Sequence, residues 1–346
     1  MGYLPTISIT IVLLVLPSQS WPKGVELLGA GATFPYPLYS KVFYSYWKET
    51  GIKVNYQPIG SGGGIRQLVN RTVDFGGSDA FMSDEALSKS PAKIFHVPIC
   101  IGAVVLTYNL PGNPELKFTP EVVADIFLGK IRRWNDQSIE EINPGIRLPE
   151  IDIMVIRRSD GSGTTFVFTD YLTRVSKEWD TKVGRGKAVN WPIGLGAKGN
   201  PGVTGLIRNL PGTIGYTELG YALLNGLPVA RLLNKYGEFI KPSTASTSKA
   251  AAIPLPMDTR VSLTNSDTPQ GYPISSFTWI LMYGEQAYGK RPLEKAVELA
   301  KLLWWMTHEA QRYTEPLHYG HLPQEAIQRA EKIITSITYH GERVFQ

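Results

Sequence analysis

The sequence predicts a layered α/β protein divided into two domains, and three observations predict it. From Val25 onward, short β-rich runs ending in glycine turns alternate with amphipathic helical stretches, the pattern of helices packed on sheets. At 346 residues the chain exceeds the length that one hydrophobic core usually serves. Its 34 glycines and 25 prolines sit in a composition as apolar as that of folded globular proteins, so they mark tight turns rather than disorder.

The elements follow in order. The first 20 residues, MGYLPTISITIVLLVLPSQS, carry no charge and hold a mostly apolar run from Ile7 to Leu16. That run is too short to span a bilayer and is followed by Pro17 and small residues, so 1–20 reads as a secretory signal peptide cleaved near Ser20. It lacks the Lys or Arg of a usual leader, and a buried N-terminal strand is the alternative. VELLGAG then reads as strand and turn, and FPYPLYSKVFYSYWKETG as a helix closed by Gly51. KVNYQPIG is a second strand, followed by SGGG and the helix IRQLVNRT. VDFGGSDA is a short strand and turn, and HVPICIGAVVLTYN a longer apolar strand. It carries the chain's one cysteine, Cys100, which cannot form an internal disulfide. EVVADIFLG and SIEEIN read as helices. SSFTWILMYG brings back a strand, and LEKAVELAKLLWWMTHEAQRY reads as one long helix. KPSTASTSKAAAIPLP reads as a flexible surface stretch, and no internal repeat is present.

Three junctions share one geometry: GAGATF at 29–34, GSGGG at 60–64 and SDGSGTTF at 159–166. In each a strand ends, small or hydroxyl residues follow, and a helix begins. The first N–H groups of a helix have no intrahelical acceptor and the helix dipole adds positive charge, so such a start accepts an anionic oxygen. Thr33, Ser61, Ser162 and Thr164 add hydroxyl donors, and the glycines let the backbone come close. Arg157 and Arg158 point to opposite faces of a strand. Arg158 is the one in phase with Asp160 and Ser162, and its fork suits two oxygens of a tetrahedral anion, with Asp160 orienting it. Asp79 would repel a bare anion. It becomes useful if the ligand carries a proton, because an ionised carboxylate accepts an O–H from phosphate and finds no donor on sulfate. Alternatively, Asp79 is only a turn residue capping the next helix at Ser83.

With these residues in view, the chain from Val25 to near its C-terminus resembles the periplasmic phosphate-binding protein of the bacterial high-affinity ABC phosphate importer, the PstS family. GAGATFPYPLY, KETGIKVNYQPIGSGGG, TVDFGGSDA, RRSDGSGTTFVFTDYL, NWPIGLGAKGNPG, LPGTIGYTE and YPISSFTWIL are similar to blocks of that family, in its order. The resemblance implies an α/β, two-lobed type II periplasmic-binding-protein (Venus flytrap) fold with the ligand in the cleft between lobes. Lobe 1 would be 24–107 plus 277–346, and lobe 2 would be 108–276. It implies phosphate-binding roles for Thr33, Phe34, Ser61, Asp79, Arg158, Ser162, Gly163 and Thr164, with Asp160 supporting Arg158. It also implies a periplasmic monomer that delivers phosphate to a membrane permease and its ATPase. No cofactor and no metal are expected. Gly62 stands where some members have a second serine, and no anchor cysteine follows the leader.

Other functions fit less well. The charge of +5 is scattered, without a basic block, which argues against a nucleic-acid partner. A phosphatase using Ser162 would need a base, yet His96, His308, His318, His321 and His340 all lie outside the junctions. His318 and His321 have a metal-pair spacing without a carboxylate or thiol at ligand spacing. A secreted phosphate sensor or adhesin, or a binder of another tetrahedral oxyanion, remains as the non-enzymatic alternative.

Overall fold

The computed structural model describes residues 24–345; the leader at 1–20 lies outside them. Eight strands carry the architecture: β1 (Glu26–Gly31), β2 (Lys53–Pro58), β3 (Phe75–Ser78), β4 (Ile94–Tyr108), β5 (Met154–Arg158), β6 (Leu195–Ala197), β7 (Thr213–Glu218) and β8 (Ser275–Tyr283). They join in the order β2-β1-β3-β8-β4-β7-β5-β6. On one side β1 runs parallel to β2 and β3; on the other β5 runs parallel to β6 and β7.

Strand β4 belongs to both sides. Ile94 to Ala103 pair antiparallel with β8, and Val104 to Tyr108 pair antiparallel with β7. Fourteen of its 15 residues are buried, with only Phe95 partly exposed. Such a continuous apolar run is what a strand covered on both faces requires. The periodicity of α1 (Tyr36–Thr50) is helical instead: Leu38, Tyr39, Val42, Phe43 and Tyr46 turn inward. There Tyr39 meets Tyr56 of β2 edge-on and Phe43 meets it at a tilt, while Tyr56 stacks on Phe75 of β3. Gly51 ends the helix in the left-handed region at φ 74°, donating to the Trp47 carbonyl.

Parallel strands place their following helices on the sheet faces and their loops at the carboxyl ends. The helices that matter here are α2 (Ser61–Val69) after β2, α3 (Gly163–Val175) after β5 and α4 (Gly199–Asn209) after β6. Two expectations fail. KPSTASTSKAAAIPLP is not a free surface stretch: α5 (Thr244–Ala250) forms within it, started by a Ser243–Ser246 capping box, and buries Ser246, Thr247 and Ala250. The long C-terminal helix stops early. α6 spans Leu293–Thr307, and His308, at φ −119° and ψ −92°, breaks it before a 3₁₀ turn over Glu309–Tyr313.

After α5 the chain returns to the first side of the sheet. Ala251, Leu255 and Leu263 pack in one cluster with Ile101, Phe277, Trp279 and Leu281. Thr259 donates to the His96 carbonyl and receives the Trp279 indole N–H, while Arg260 reaches the Met82 carbonyl.

Where β4 changes partners, Glu218 at the end of β7 stands opposite Val104. It is fully buried, caps the helix Leu219–Leu224 through the N–H groups of Gly220 and Tyr221, and receives the Tyr319 hydroxyl at 3.2 Å. Burial dominates over these bonds and pushes its carboxyl up from 4.5 to about 8. A folded-state value above the unfolded one means that the folded protein holds the proton more tightly. Stability is therefore greatest below pH ~4.5 as far as this group is concerned, and is lost as pH rises towards about 8, by at most ~1.4 kcal/mol per pH unit. Thermal unfolding between pH 5 and pH 8.5 is expected to show Tm falling more steeply with pH in the wild type than in Glu218→Gln; parallel slopes would refute this.

Candidate functional site

The site is assembled from the carboxyl ends of strands on both sides of β4. The β1 end gives Thr33 and Phe34, the β2 end gives Ser61, and the β3 end gives Asp79. From the other side come Arg158 at the last position of β5, then Asp160 and Ser162 to Thr164 leading into α3. All of the expected anion-contacting residues are buried. The three junctions differ in detail. Ser162 is a true N-cap, its hydroxyl accepting from the Thr165 N–H at 3.0 Å. At Ser61 the cap is the preceding Gly60, whose φ of 87° suits glycine, and a Cβ there would lie 2.4 Å from Asp160 Oδ2. At the first junction the helix starts only after Pro35, so Thr33 and Phe34 lie in the turn before it.

The two sides touch through backbone. The Gly62 N–H donates to the Gly161 carbonyl at 2.8 Å, and a Cβ on Gly62 would sit 3.2 Å from Gly161 Cα. A serine at position 62 would thus crowd this contact. Gly163 is tighter still: a side chain would meet Ser61 Oγ at 2.4 Å and Asp79 Oδ2 at 2.5 Å. Ser61, Asp79 and the start of α3 therefore meet at one point. Among the described residues, the N–H groups of Phe34, Ser61, Gly163 and Thr164 donate to no group of the chain. Unpaired amides on buried residues are costly, so these four, on the turns and helix starts that follow β1, β2 and β5, are a set of donors suited to an anion.

Arg158 is 3% exposed and grips Asp160 with both arms of its fork, Nε to Oδ1 at 2.7 Å and Nη2 to Oδ2 at 2.6 Å. Its remaining arm, Nη1, reaches Thr164 Oγ1 at 3.3 Å. Burial tends to raise the Asp160 carboxyl, but Arg158 and the Gly199 N–H outweigh it and hold it below the usual carboxylate range. Arg157 lies on the opposite face and reaches only a backbone carbonyl.

Asp79 accepts the Thr278 hydroxyl at 2.9 Å through Oδ1, and its backbone carbonyl accepts from Ser276 at 3.2 Å. It does not cap the next helix; Ser83 does, receiving the Ala86 N–H. Burial pushes the Asp79 carboxyl up from 3.8 to about 7, with Thr278 and the charge of Arg158 pulling the other way. Near neutrality this group is poised between its charged and neutral forms.

Sequence reading passed over Asn200, which is fully buried at the second position of α4. Its amide donates to Thr33 Oγ1 at 2.9 Å and to Thr164 Oγ1 at 3.2 Å, and its carbonyl accepts from Thr217 and the Glu218 N–H. It ties the hydroxyls of the two sides together. The signal was available: GAKGNPG is a fourth strand, glycine and helix start of the same kind. Tyr319 was also missed; its hydroxyl donates to the Phe34 carbonyl at 2.7 Å. The Ser162 hydroxyl meets no base, and among the described residues no group of three or more His, Cys, Asp or Glu could hold a metal.

A model of the PBP superfamily domain matches residues 17–309. Among curated proteins, the chain is 42% identical over 314 residues to "Phosphate-binding protein PstS" of Pasteurella multocida, with 88% of each chain covered. It is 40% identical over 330 residues to the protein of the same name from Methanocaldococcus jannaschii, covering 88% of this chain and 84% of that one. The fold matches a crystal structure of a phosphate binding protein from Stenotrophomonas maltophilia with a TM-score of 0.69 at 17% identity, over 89% of this chain and 94% of that one. It matches equally, at 0.69 and 21% identity over 89% and 93%, the structure of a high affinity periplasmic phosphate-binding protein bound with phosphate. The seven ordered blocks, the two-sided sheet and these relatives agree: the chain belongs to the PstS family of phosphate-binding proteins within the PBP superfamily.

Proposed function

We propose that this protein binds inorganic phosphate between its two lobes in the periplasm and hands it, unreacted, to the permease and ATPase of an ABC importer. The observation that carries this reading is the meeting of Ser61 and Asp79 with Gly163 at the start of α3, with the N–H groups of Phe34, Ser61, Gly163 and Thr164 left without an acceptor in the chain. The printed names and phosphate-bound structure of the relatives support phosphate as the anion. Among the described residues no helix is long and apolar enough to cross a membrane. The lobes are read as 24–107 with 277–346 against 108–276, and the packing of Ala251, Leu255 and Leu263 with Trp279 supports counting residues 251–263 with the first lobe.

Thr33, Phe34 and Ser61 supply donors from lobe 1, and Ser162, Gly163 and Thr164 supply them from lobe 2. Arg158, held by Asp160, adds charge-assisted bonds to two oxygens. Asp79 accepts the proton that phosphate carries and sulfate lacks. Since neither lobe alone completes the set, phosphate binds best when the lobes are together and shifts the population that way. A membrane partner can then read the closed shape.

The main test is titration of the full chain with phosphate and with sulfate, read by calorimetry and by the fluorescence of its eight tryptophans. Saturable phosphate binding without a matching sulfate response is expected; no phosphate binding would end the proposal. Arg158→Ala is expected to weaken phosphate binding by at least about tenfold, the effect of removing a charged hydrogen-bonding group; an unaltered Kd would take Arg158 out of the site. Asp79→Asn should retain some phosphate binding while sulfate exclusion relaxes by about tenfold or more. A phosphate-to-sulfate preference equal to wild type would remove Asp79 as the proton acceptor.

A further inference from the structure

Two turns along α3 from the anion site lies a second buried carboxylate, Asp170, which none of the roles above uses. Its side chain is 2% exposed and takes bonds from four side chains. Two come from its own lobe: Arg174 Nε at 3.1 Å and Arg185 Nη1 at 2.7 Å. The other two are hydroxyls, Ser262 Oγ at 2.6 Å and Thr264 Oγ1 at 2.5 Å. These hydroxyls belong to the segment anchored on lobe 1 through Thr259 to His96, Arg260 to Met82, and Leu263 in the cluster around Trp279. The ring of Phe81 from lobe 1 meets Phe166 of α3 edge-on at 5.9 Å. Phe81, Phe166, Asp170, Ser262 and Thr264 line one small cavity that Asp79 also borders. The seam between the lobes thus continues from the anion site down α3 to Asp170.

The four donors are not equivalent. Arg174 and Arg185 travel with Asp170 and neutralise it whether the lobes are together or apart. The hydroxyls are available only when the lobes meet. Burial tends to raise the Asp170 carboxyl, but Ser262, Thr264 and the two arginines outweigh it and keep it ionised, the form that accepts all four bonds. On the lobe 2 side, Arg174 and Arg185 hold the Asp170 carboxylate in place before closure.

We propose that Asp170 with Ser262 and Thr264 forms a latch between the lobes, outside the anion site, that sets how long phosphate is held and not which anion is chosen. The proposal rests on the reading that phosphate sits between the lobes. A ligand that needs both lobes has an apparent Kd equal to its intrinsic Kd divided by the closed fraction, so weakening the latch weakens binding without touching a ligand contact. Because the broken bonds exist only after closure, the change falls on dissociation.

The test uses the full chain with Ser262→Ala and Thr264→Val together, which leaves Asp170 and its arginines in place. Stopped-flow tryptophan fluorescence is expected to give a phosphate dissociation rate about tenfold higher or more, as for two lost bonds to a charged group. The association rate should change by less than about threefold, and preference over sulfate should stay as in wild type. Asp170→Asn should act in the same direction, while Ser262→Thr with Thr264→Ser, which keeps both hydroxyls, should restore slow release; a purely packing role would not separate these variants. Lobe separation is read independently from spin labels at Lys89→Cys and Lys177→Cys, both exposed, the native Cys100 being buried. Without phosphate, the hydroxyl-free variant should show a longer mean distance than wild type. An unchanged dissociation rate together with an unchanged distance distribution would overturn the latch. Failure of the wild type to bind phosphate would overturn the functional reading instead, and the ligand-free distances would still decide the latch.

Discussion

Strand β4 is the constraint on which the rest depends. Its 15 residues extend for roughly 50 Å, enough to pair with β8 over one stretch and with β7 over the next. A single buried strand thereby serves two sheets. Because the outer strands on each side are parallel, their carboxyl ends and helix starts come together at the seam. The network of Glu218, Tyr319, Phe34 and Asn200 is built where β4 changes partners, so the point about which the lobes would turn is wired directly to the residues that would hold the anion.

The charges of the candidate residues bear on how they would attract an anion without a surplus of cations. Arg158 is the one cationic side chain among the site residues, and Asp160 already holds two arms of its fork. With Asp79 ionised, these three side chains sum to one negative charge. Attraction must then come from dipoles: free N–H groups at the starts of α2 and α3, and hydroxyls fixed by Asn200. Dipoles act over a short range, so such a site discriminates by fit and depends little on ionic strength, whereas a cluster of lysines would behave in the opposite way.

Much of this was legible in the chain. Each of the three glycine junctions sits at the carboxyl end of a strand, and Arg158 rather than Arg157 faces inward, as alternation along a strand demands. What escaped was of two kinds. Asn200 obeyed a rule already in use and was hidden because its amide is neutral and its strand, Leu195–Ala197, is three residues long. The pairing of Glu218 with Tyr319 and that of Asp170 with Ser262 carry no local signal, since the partners lie 101 and 92 residues apart in sequence. The hydroxyl-rich stretch around Thr244 misled for a related reason: serines and threonines suit both loops and helix caps, and only the packing of Ala250 and Thr247 decides between them.

The contact of Gly62 with Gly161, and of Gly163 with Ser61 and Asp79, has a consequence for how such a protein ages in evolution. The main-chain part of such a binding surface is specified by where the chain bends and how long each bend is, more than by which side chains surround it. Replacing residues on the outer faces of the helices leaves those bends alone, so a lineage can drift far in sequence while its cradle stays in register. Inserting a single residue between Gly60 and Ser61, or inserting or deleting one between Asp160 and Gly163, would rotate the donors away from one another at once. The tolerance of this fold is for substitution, and its intolerance is for changes in loop length.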